Sequence, residues 1–351
     1  MIKDKSILIK NIYYMLTYAF QVLKQNSYEE IAKEDFDNIQ NLFAAILSKG
    51  IAGQIKQGLY REYVPFTEDL SVLRGKLEFN STIKNKLAHR QVLTCEHDDL
   101  SENNLFNKIL KTTAYMLVKH AKVEEKYKSE LKKNLLFFSN VDFINVSAIK
   151  WTSLNYQRNN HSYKMLMNVC YFVLEGLLYS DEKGNYKIAN YLDEQQMSHL
   201  YEKFVLEYYK YHYNGIIYAT SSQIKWNVDD GVIDFLPIMQ SDIMLKSKGK
   251  TLIIDTKYYT HTMQTKGQYN STTFHSHDLY QIFTYVKNAD LMNDGSVAGM
   301  LLYAKTDEQV TPDNDFMMRG NKISVKTLDL NLCFPDIAKQ LDDIAKSYFE
   351  L

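Results

Sequence analysis

The chain has 351 residues, of which 45% are hydrophobic and 24% are charged, a balance that is ordinary for a folded globular protein. It excludes a disordered or collagen-like chain, and at roughly 150 residues per domain the length predicts about two domains. The formal net charge of -1 excludes the strong positive excess of a protein that holds nucleic acid by phosphate neutralisation alone.

Two features of the sequence bear on its compartment. No apolar run approaches the ~20 residues of a membrane span, and the first residues lack the apolar stretch of a signal peptide. The three cysteines, Cys95, Cys170 and Cys333, lie far apart and form no Cys-x-x-Cys pair. We therefore expect a cytoplasmic protein with no membrane partner, no disulfide framework and no zinc knuckle.

The first half of the chain is predicted to be mostly helical. Apolar residues at helical spacing predict helices over residues 9–23, near 43–47, over 101–120 and over 162–178. Residues 60–66 and 71–79 are typical of strands, and the acidic stretch 67–70 between them predicts a hairpin with an exposed tip. We interpret the lysine-rich stretch 119–133 as a solvated helical face.

The loop residues 181–185 mark the predicted domain boundary, which divides the chain into residues 1–188 and 189–351. After this boundary the pattern predicts a helix over 193–211, strands over 215–220, 238–245 and 251–259, a helix over 276–288, strands over 297–303 and 322–328, and a helix over 335–349. This order is typical of an α/β domain built on one sheet.

The chemistry-bearing residues follow the apolar run 252–254. Alternate residues of a strand face the same side, so Asp255 and Lys257 are expected to point together. Asp242, from the neighbouring predicted strand, adds a second carboxylate. Two carboxylates, a backbone carbonyl (that of Thr256) and waters form the hard oxygen site that Mg²⁺ prefers. With such an ion, Lys257 would orient the attacking water or offset charge at a phosphate.

An Asp-x-Lys sequence on its own is also typical of a surface strand that carries an ion pair. Two further features favour a catalytic site. Gln281 and Tyr285 are four residues apart and share one face of a predicted helix. Upstream, Glu202 lies on the predicted helix 193–211. Helix acid, Asp242, Asp-x-Lys and Gln-x-x-x-Tyr together follow the order of the PD-(D/E)xK nucleases, and the last element resembles their RecB-like branch.

The resemblance extends over essentially the whole chain. Residues 11–19, 74–79 and 99–109, together with 241–243, 255–259 and 274–281, resemble the McrC family of nuclease subunits from McrBC modified-cytosine restriction systems. The chain departs from the nuclease motif at one position. The usual proline is adjacent to the first aspartate, whereas Pro237 stands five residues before Asp242.

The resemblance implies a mostly helical N-terminal docking domain with a small β-hairpin region, followed by a PD-(D/E)xK restriction-endonuclease-like α/β core. It implies Mg²⁺ as cofactor and two partners, a McrB-like AAA+ GTPase hexamer and double-stranded DNA with modified cytosine. GTP would be bound by the partner, since the chain has no G-x-x-x-x-G-K-[ST] motif. The chain would stimulate the partner's GTP hydrolysis and cut the DNA.

Further residues are candidates for binding. Arg74 and Lys76 flank a glycine after the predicted hairpin tip and are expected to dock on the partner. His275 and His277, with Lys266 in a polar loop, are expected to contact DNA. Alternatively, the two histidines and Asp278 would ligate a transition metal, or Lys266 would be an ordinary solvated residue.

Two other functions fit the same pattern. The fold could serve as a scaffold that only regulates the AAA+ ring, although the retention of Asp242, Asp255 and Lys257 speaks against this. A stand-alone RecB-like repair nuclease would need its first half to bind DNA. Residues 1–150 contain 22 Lys and Arg against 18 Asp and Glu, a small excess for that task.

Overall fold

The computed structural model describes residues 3–4, 7–20, 31, 34–181, 186–259, 264–266, 271–305 and 311–351. The helices in these ranges are α1 (Ile9–Ala19), α2 (Ile39–Gln57), α3 (Phe79–Leu87), α4 (Leu105–Lys119), α5 (Glu125–Leu135), α6 (Tyr163–Asp181), α7 (Tyr186–His212), α8 (Ser276–Ala289) and α9 (Phe334–Phe349). The strands are β1 (Lys3–Asp4), β2 (Ile7–Leu8), β3 (Glu62–Leu70), β4 (Lys76–Leu77), β5 (Leu93–Ser101), β6 (Tyr218–Thr220), β7 (Gln223–Ile224), β8 (Met239–Gln240), β9 (Ile243–Ser247), β10 (Lys250–Lys257), β11 (Gln264–Lys266), β12 (Ser271–Thr273), β13 (Val297–Ala304), β14 (Asn314–Met318) and β15 (Asn321–Leu328). Within the described ranges, none of the helices has the length and apolar character needed to cross a membrane.

The chain divides into two compact units, one formed by Met1–Leu42 with Glu175–Leu351 and the other by Phe43–Leu174. This division differs from the predicted single boundary near residue 188, because the N-terminal segment returns to the C-terminal unit. Helix α1 packs against α7, and the Asn11 side chain donates hydrogen bonds to the carbonyls of Leu330 at 2.7 Å and Leu332 at 2.8 Å. Residues 182–185 of the predicted boundary loop lie outside the described residues.

A six-stranded mixed sheet forms the centre of the first unit, in the order β14–β15–β13–β10–β9–β6. β10, β13 and β15 run parallel, and β9 pairs antiparallel with β10. Every residue of β13 is buried, as expected for a parallel strand that is covered on both faces. The predicted α/β class with one central sheet is confirmed, while the edge strand β14 was not predicted.

Helix α8 lies close to this sheet, against β13 and β10. Its residues Ile282 and Val286 are fully buried and share an apolar cluster with Ile253 of β10. Gly299 of β13 permits the close approach, because a Cβ atom there would lie 2.7 Å from Cγ1 of Ile282 and 2.7 Å from Cγ2 of Val286. The first two turns of α8 are therefore held next to the end of β10.

The second unit contains helices and a three-stranded sheet in the order β3–β5–β4. The predicted hairpin is wrong. β3 continues through residues 67–70 and pairs antiparallel with β5, and β4 also pairs with β5. The acidic residues do not mark a turn, since Asp69 lies within β3. Its carboxylate accepts hydrogen bonds from Oγ1 of Thr94 at 2.6 Å and Nδ2 of Asn85 at 2.8 Å. Phe79 begins helix α3 instead of ending a strand.

Candidate active site

Two neighbouring strands bring the predicted carboxylates together. Ile254 of β10 pairs with Ile243 of β9, so Asp255 and Asp242 stand one step beyond the last pair of the ladder. Asp255 and Lys257 point to one side of β10, as the strand period requires. The apolar residues before them fix the strand in the core and place the charged groups at its end.

Asp242 is held by the backbone and side chain of Thr256. Its Oδ2 accepts hydrogen bonds from the amide N of Thr256 at 2.8 Å and from its Oγ1 at 2.9 Å. Burial and the neighbouring charges of Asp255 and Glu202 raise the pKa of Asp242 to about 7, against the lowering effect of these hydrogen bonds. The two hydrogen bonds that Thr256 donates therefore keep this carboxylate oriented.

Asp255 and Lys257 form a buried ion pair. Asp255 is 1% exposed, and Nζ of Lys257 lies 2.7 Å from its Oδ2. Burial raises the pKa of Asp255, although the ammonium of Lys257 opposes this shift. Burial lowers the pKa of Lys257, but Asp255 and Asp278 outweigh it and hold the pKa above its ordinary value. Lys257 is therefore an ammonium at neutral pH.

Helix α8 supplies the Gln-x-x-x-Tyr pair. Nζ of Lys257 donates to Oε1 of Gln281 at 3.1 Å, and Nε2 of Gln281 donates to the hydroxyl of Tyr285 at 2.9 Å. Tyr285 is 8% exposed. This chain of hydrogen bonds joins the helix to the end of β10 and fixes the amide of Gln281 with its oxygen toward Lys257.

Glu202, on α7, faces the same group of carboxylates. Its charge raises the pKa of both Asp242 and Asp255, and its side chain remains 31% exposed. Oε2 of Glu202 lies 3.5 Å from Nδ1 of His199, whose side chain is 74% exposed. The structure thus places Glu202 near the two aspartates and in contact with solvent.

The residues present fit a divalent cation held by two carboxylates. Oδ2 of Asp255 is buried beside Nζ of Lys257 at 2.7 Å, and the negative charge of Asp255 helps to raise the pKa of Asp242. A hard cation would offset the repulsion between these two carboxylates. The described part of the chain has no group of three or more His, Cys, Asp or Glu side chains arranged to hold a metal. A pair of carboxylates suits Mg²⁺, which takes one or two carboxylates and keeps several waters. The Thr256 carbonyl as a third ligand stays a prediction.

The predicted DNA-contacting residues are near or outside this group. His275 occupies the N-cap position of α8 without a side-chain capping hydrogen bond, and its ring centre lies 5.0 Å from that of Tyr259. His277 is exposed, with Nδ1 4.0 Å from Oδ1 of Asp278. Lys266 ends β11, and its side chain lies outside the described residues.

Arg74 and Lys76 belong to the other unit. Nη2 of Arg74 lies 3.5 Å from Oδ1 of Asp99, and Nζ of Lys76 lies 3.7 Å from Oε2 of Glu96. Both basic side chains are more than half exposed. Gly75 between them adopts a positive φ of 72°, and a Cβ atom there would collide with the backbone of Glu96.

The sequence pointed to Asp278 only as an alternative ligand of a transition metal, and it did not indicate the contact of Asp278 with Lys257 or with two tyrosine donors. Asp278 on α8 is 3% exposed, and it accepts hydrogen bonds from the hydroxyls of Tyr303 at 2.8 Å and Tyr259 at 3.2 Å. Its Oδ1 lies 3.6 Å from Nζ of Lys257. One signal was present, since Asp278 precedes Gln281 by three residues and so shares its helical face.

Known proteins resemble the chain over nearly its full length. A family model described as McrBC 5-methylcytosine restriction system component matches residues 3–304. The chain is 28% identical over 346 residues to the type IV methyl-directed restriction enzyme EcoKMcrBC of Escherichia coli (strain K12), covering 97% of this chain and 98% of that one.

One solved structure shares the fold of the chain over most of its length. One match is a refined half-complex from a tetradecameric assembly of Thermococcus gammatolerans McrB AAA+ hexamers with bound McrC, with a TM-score of 0.50, 16% identity, and coverage of 96% of this chain and 76% of that chain. Another is the cryo-EM structure of the Thermococcus gammatolerans McrBC complex, with a TM-score of 0.37, 17% identity, and coverage of 48% and 52%.

Proposed function

Because the chain belongs to the family of McrBC 5-methylcytosine restriction system components, as its motifs predicted, we propose that it is the DNA-cutting subunit of such a system. In this proposal it is a Mg²⁺-dependent endodeoxyribonuclease of the PD-(D/E)xK type. It acts with a McrB-like AAA+ GTPase hexamer on double-stranded DNA that contains modified cytosine.

One observation carries the proposal: the buried carboxylate of Asp255, the partly buried carboxylate of Asp242 and the partly buried ammonium of Lys257 meet at the ends of adjacent strands. An uncompensated buried charge is costly, so a plain core would not collect Asp242, Asp255 and Lys257 at one point. A surface ion pair would be exposed, whereas the side chains of Lys257 and Asp255 are 14% and 1% exposed. The arrangement is best explained by a catalytic site at the adjacent ends of β9 and β10.

Each residue has a role that follows from its contacts. Asp242 and Asp255 would hold the cation, which would supply charge stabilisation at the scissile phosphate and acidify water. Lys257 remains an ammonium, so it orients the attacking water or offsets phosphate charge and does not remove a proton. Gln281 and Tyr285 keep Lys257 in place, and Glu202 is an outer ligand at the exposed side of the site.

GTP chemistry belongs to the partner in this account. The chain has no phosphate-binding loop motif, and the Thermococcus gammatolerans structure contains McrB AAA+ hexamers with bound McrC. We extend that assembly to this chain. The exposed basic pair Arg74 and Lys76 docks on carboxylates or backbone oxygens of the hexamer and stimulates its GTP hydrolysis.

The test is reconstitution of plasmid cleavage. Methylated and unmethylated supercoiled plasmids are incubated with this chain, with its McrB-like partner, or with both, in the presence of Mg²⁺ and GTP. We expect linear product only when both proteins, Mg²⁺, GTP and methylation are present. GTP hydrolysis that rises on adding the chain, with no cleavage of either plasmid, would support the scaffold alternative. Cleavage by this chain alone would support the stand-alone nuclease.

A further inference from the structure

Asp278 is the carboxylate of this region to which the family resemblance gave no nuclease role. It is the third residue of α8, on the face that carries Gln281, and both of its oxygens accept hydrogen bonds. Oδ2 accepts from Tyr303 and Oδ1 from Tyr259, so the carboxylate is locked in one orientation. Tyr303 stands beside Lys257 in the parallel pairing of β13 and β10. The locked Oδ1 faces Lys257 across 3.6 Å.

The arrangement gives Lys257 two anions on different elements. Oδ2 of Asp255, from the same strand, is 2.7 Å from Nζ, and Oδ1 of Asp278, from α8, is 3.6 Å away. The nearer anion is also the proposed cation ligand. With its charge shared with a cation, Asp255 would attract the ammonium of Lys257 less strongly. Asp278 has no such second task, because its oxygens are occupied by tyrosine hydroxyls.

We propose that Asp278 is a positioning residue that keeps the Lys257 ammonium in its reactive place when the cation binds Asp255. This inference rests on the proposed function and deepens it. Tyr259 and Tyr303 act behind Asp278 by fixing its orientation. Gln281 contributes a neutral acceptor at 3.1 Å, and the charge that remains for Lys257 comes from Asp278.

The chain offers a matched control for a structural effect at a buried aspartate. Asp290 follows the other end of α8 and is 2% exposed. Its Oδ2 accepts hydrogen bonds from Nδ2 of Asn321 at 2.6 Å and from the amide N of Gly295 at 3.1 Å. Asp290→Asn should therefore disturb local structure without acting through Lys257.

The first test is a double-mutant cycle on the metal-free chain, read by thermal unfolding. Lys257→Ala leaves two buried carboxylates without their cation and lowers Tm. If Asp278 faces that ammonium in solution, the loss is smaller by about 2–4 °C in the Asp278→Asn background and unchanged in the Asp290→Asn background. Equal losses in all three backgrounds would overturn the proposal. This test requires no cleavage, so it reports on the contact between Asp278 and Lys257 even if the proposed nuclease function is wrong.

The second test measures cleavage by the reconstituted complex at saturating Mg²⁺. Asp278→Asn should lower kcat about 10–100-fold with the KM for DNA unchanged, since a small displacement of a catalytic group costs this much. Asp278→Glu, which keeps the charge, should recover part of the rate. The double variant Lys257→Ala with Asp278→Asn should cut no more slowly than Lys257→Ala alone, whereas losses that multiply would overturn the proposal. Because wild type and Lys257→Ala are run alongside, a failure of the nuclease assignment is seen separately.

Discussion

At the site, Lys257 lies between acceptors that come from strand β10 and helix α8. Lys257→Ala should lower the cleavage rate by about 10²-fold or more, because the positive charge beside the attacked phosphate is lost. The measurement is the single-turnover cleavage rate of the reconstituted complex. Lys305→Ala is the matched control, since Lys305 forms a comparable 2.6 Å pair with Asp329 on the same sheet. A folded Lys257→Ala variant that cuts at the wild-type rate would reduce Lys257 to a structural ion-pair partner.

The carboxylate of Asp242 gives a pH-dependent prediction for the metal-free chain. Its folded-state pKa of about 7 lies above the value in an unfolded chain, so the ionised form costs stability above pH 7. That cost declines gradually as the pH falls below 7, and it is gone only near the ordinary carboxyl pKa of 3.8. Asp242→Asn should therefore raise Tm by about 2 °C or more at pH 8 and by less at pH 5.5.

Mg²⁺ supplies the second half of the same test. Saturating Mg²⁺ should raise the Tm of the wild-type chain at pH 8 and leave that of Asp242→Asn nearly unchanged. A variant that is less stable than wild type at pH 8, or an equal Mg²⁺ shift in both proteins, would count against Asp242 as a cation ligand.

The sequence could predict this site only where neighbours along the chain decide the geometry. Asp255 and Lys257 follow from the two-residue period of a strand, and Gln281 and Tyr285 follow from the period of a helix. Asp278 was missed as a partner of Lys257, because that contact depends on how α8 packs on the sheet. No local pattern carries this information.

At the scale of elements, predictions succeeded where an apolar face had to be buried. The helices over 276–288 and 335–349 and the strands over 297–303 and 322–328 match α8, α9, β13 and β15 to within one residue at each end. Strand β5 was missed and β3 was cut short, because charged and polar residues interrupt the apolar pattern of both. Their register is set by pairing with one another, which the hydrophobic pattern does not show.

The packing of α8 on β13 is predicted to depend on Gly299. Gly299→Ala should lower the free energy of unfolding by about 1–3 kcal/mol, since the new Cβ would press on Ile282 and Val286. Cleavage should fall as well, because α8 carries Gln281. Gly53→Ala is the control: its Cβ would meet nothing within 4 Å inside helix α2, so stability should stay equal or rise. Chemical denaturation measures both, and an unchanged Gly299→Ala variant would refute the close approach.

The docking prediction concerns the segment between β3 and β4. Residues 67–70 are part of β3, so changing them would disturb the sheet. The double variant Arg74→Ala with Lys76→Ala removes only exposed charges and should lower the maximal GTP turnover of the partner several-fold. Arg61→Ala is the control in the same unit, since Arg61 is also exposed and pairs with Glu102 at 2.7 Å. An unchanged turnover rate and half-saturation point would remove Arg74 and Lys76 from the interface.

At the scale of the whole molecule, the chain has one unit that contains the candidate active site and another that contains the candidate docking residues. The sequence predicted two bodies and the α/β class of the second, but it assigned the first 42 residues to the wrong neighbour in space. A contact such as that of Asn11 with the Leu330 carbonyl joins the two ends of the chain. Changes of composition along the sequence do not reveal a contact between residues so far apart in the chain.

We propose that the cluster of Asp242, Asp255 and Lys257 is required for DNA cleavage but not for stimulation of the partner's GTP hydrolysis. Asp255→Ala separates these activities most directly, because Asp255 is buried in the cluster and Arg74 and Lys76 are in the other unit. Asp343→Ala, an exposed residue of α9, serves as the matched control.

The decisive measurement follows GTP turnover and plasmid cleavage in the same reaction, with methylated plasmid, Mg²⁺, the McrB-like partner and each form of this chain. We expect Asp255→Ala to retain the wild-type stimulation of GTP hydrolysis but to produce less than a few per cent of the wild-type cleavage. Asp343→Ala should retain both the stimulation and the cleavage. Cleavage by Asp255→Ala near the wild-type rate would contradict the assignment of the nuclease site.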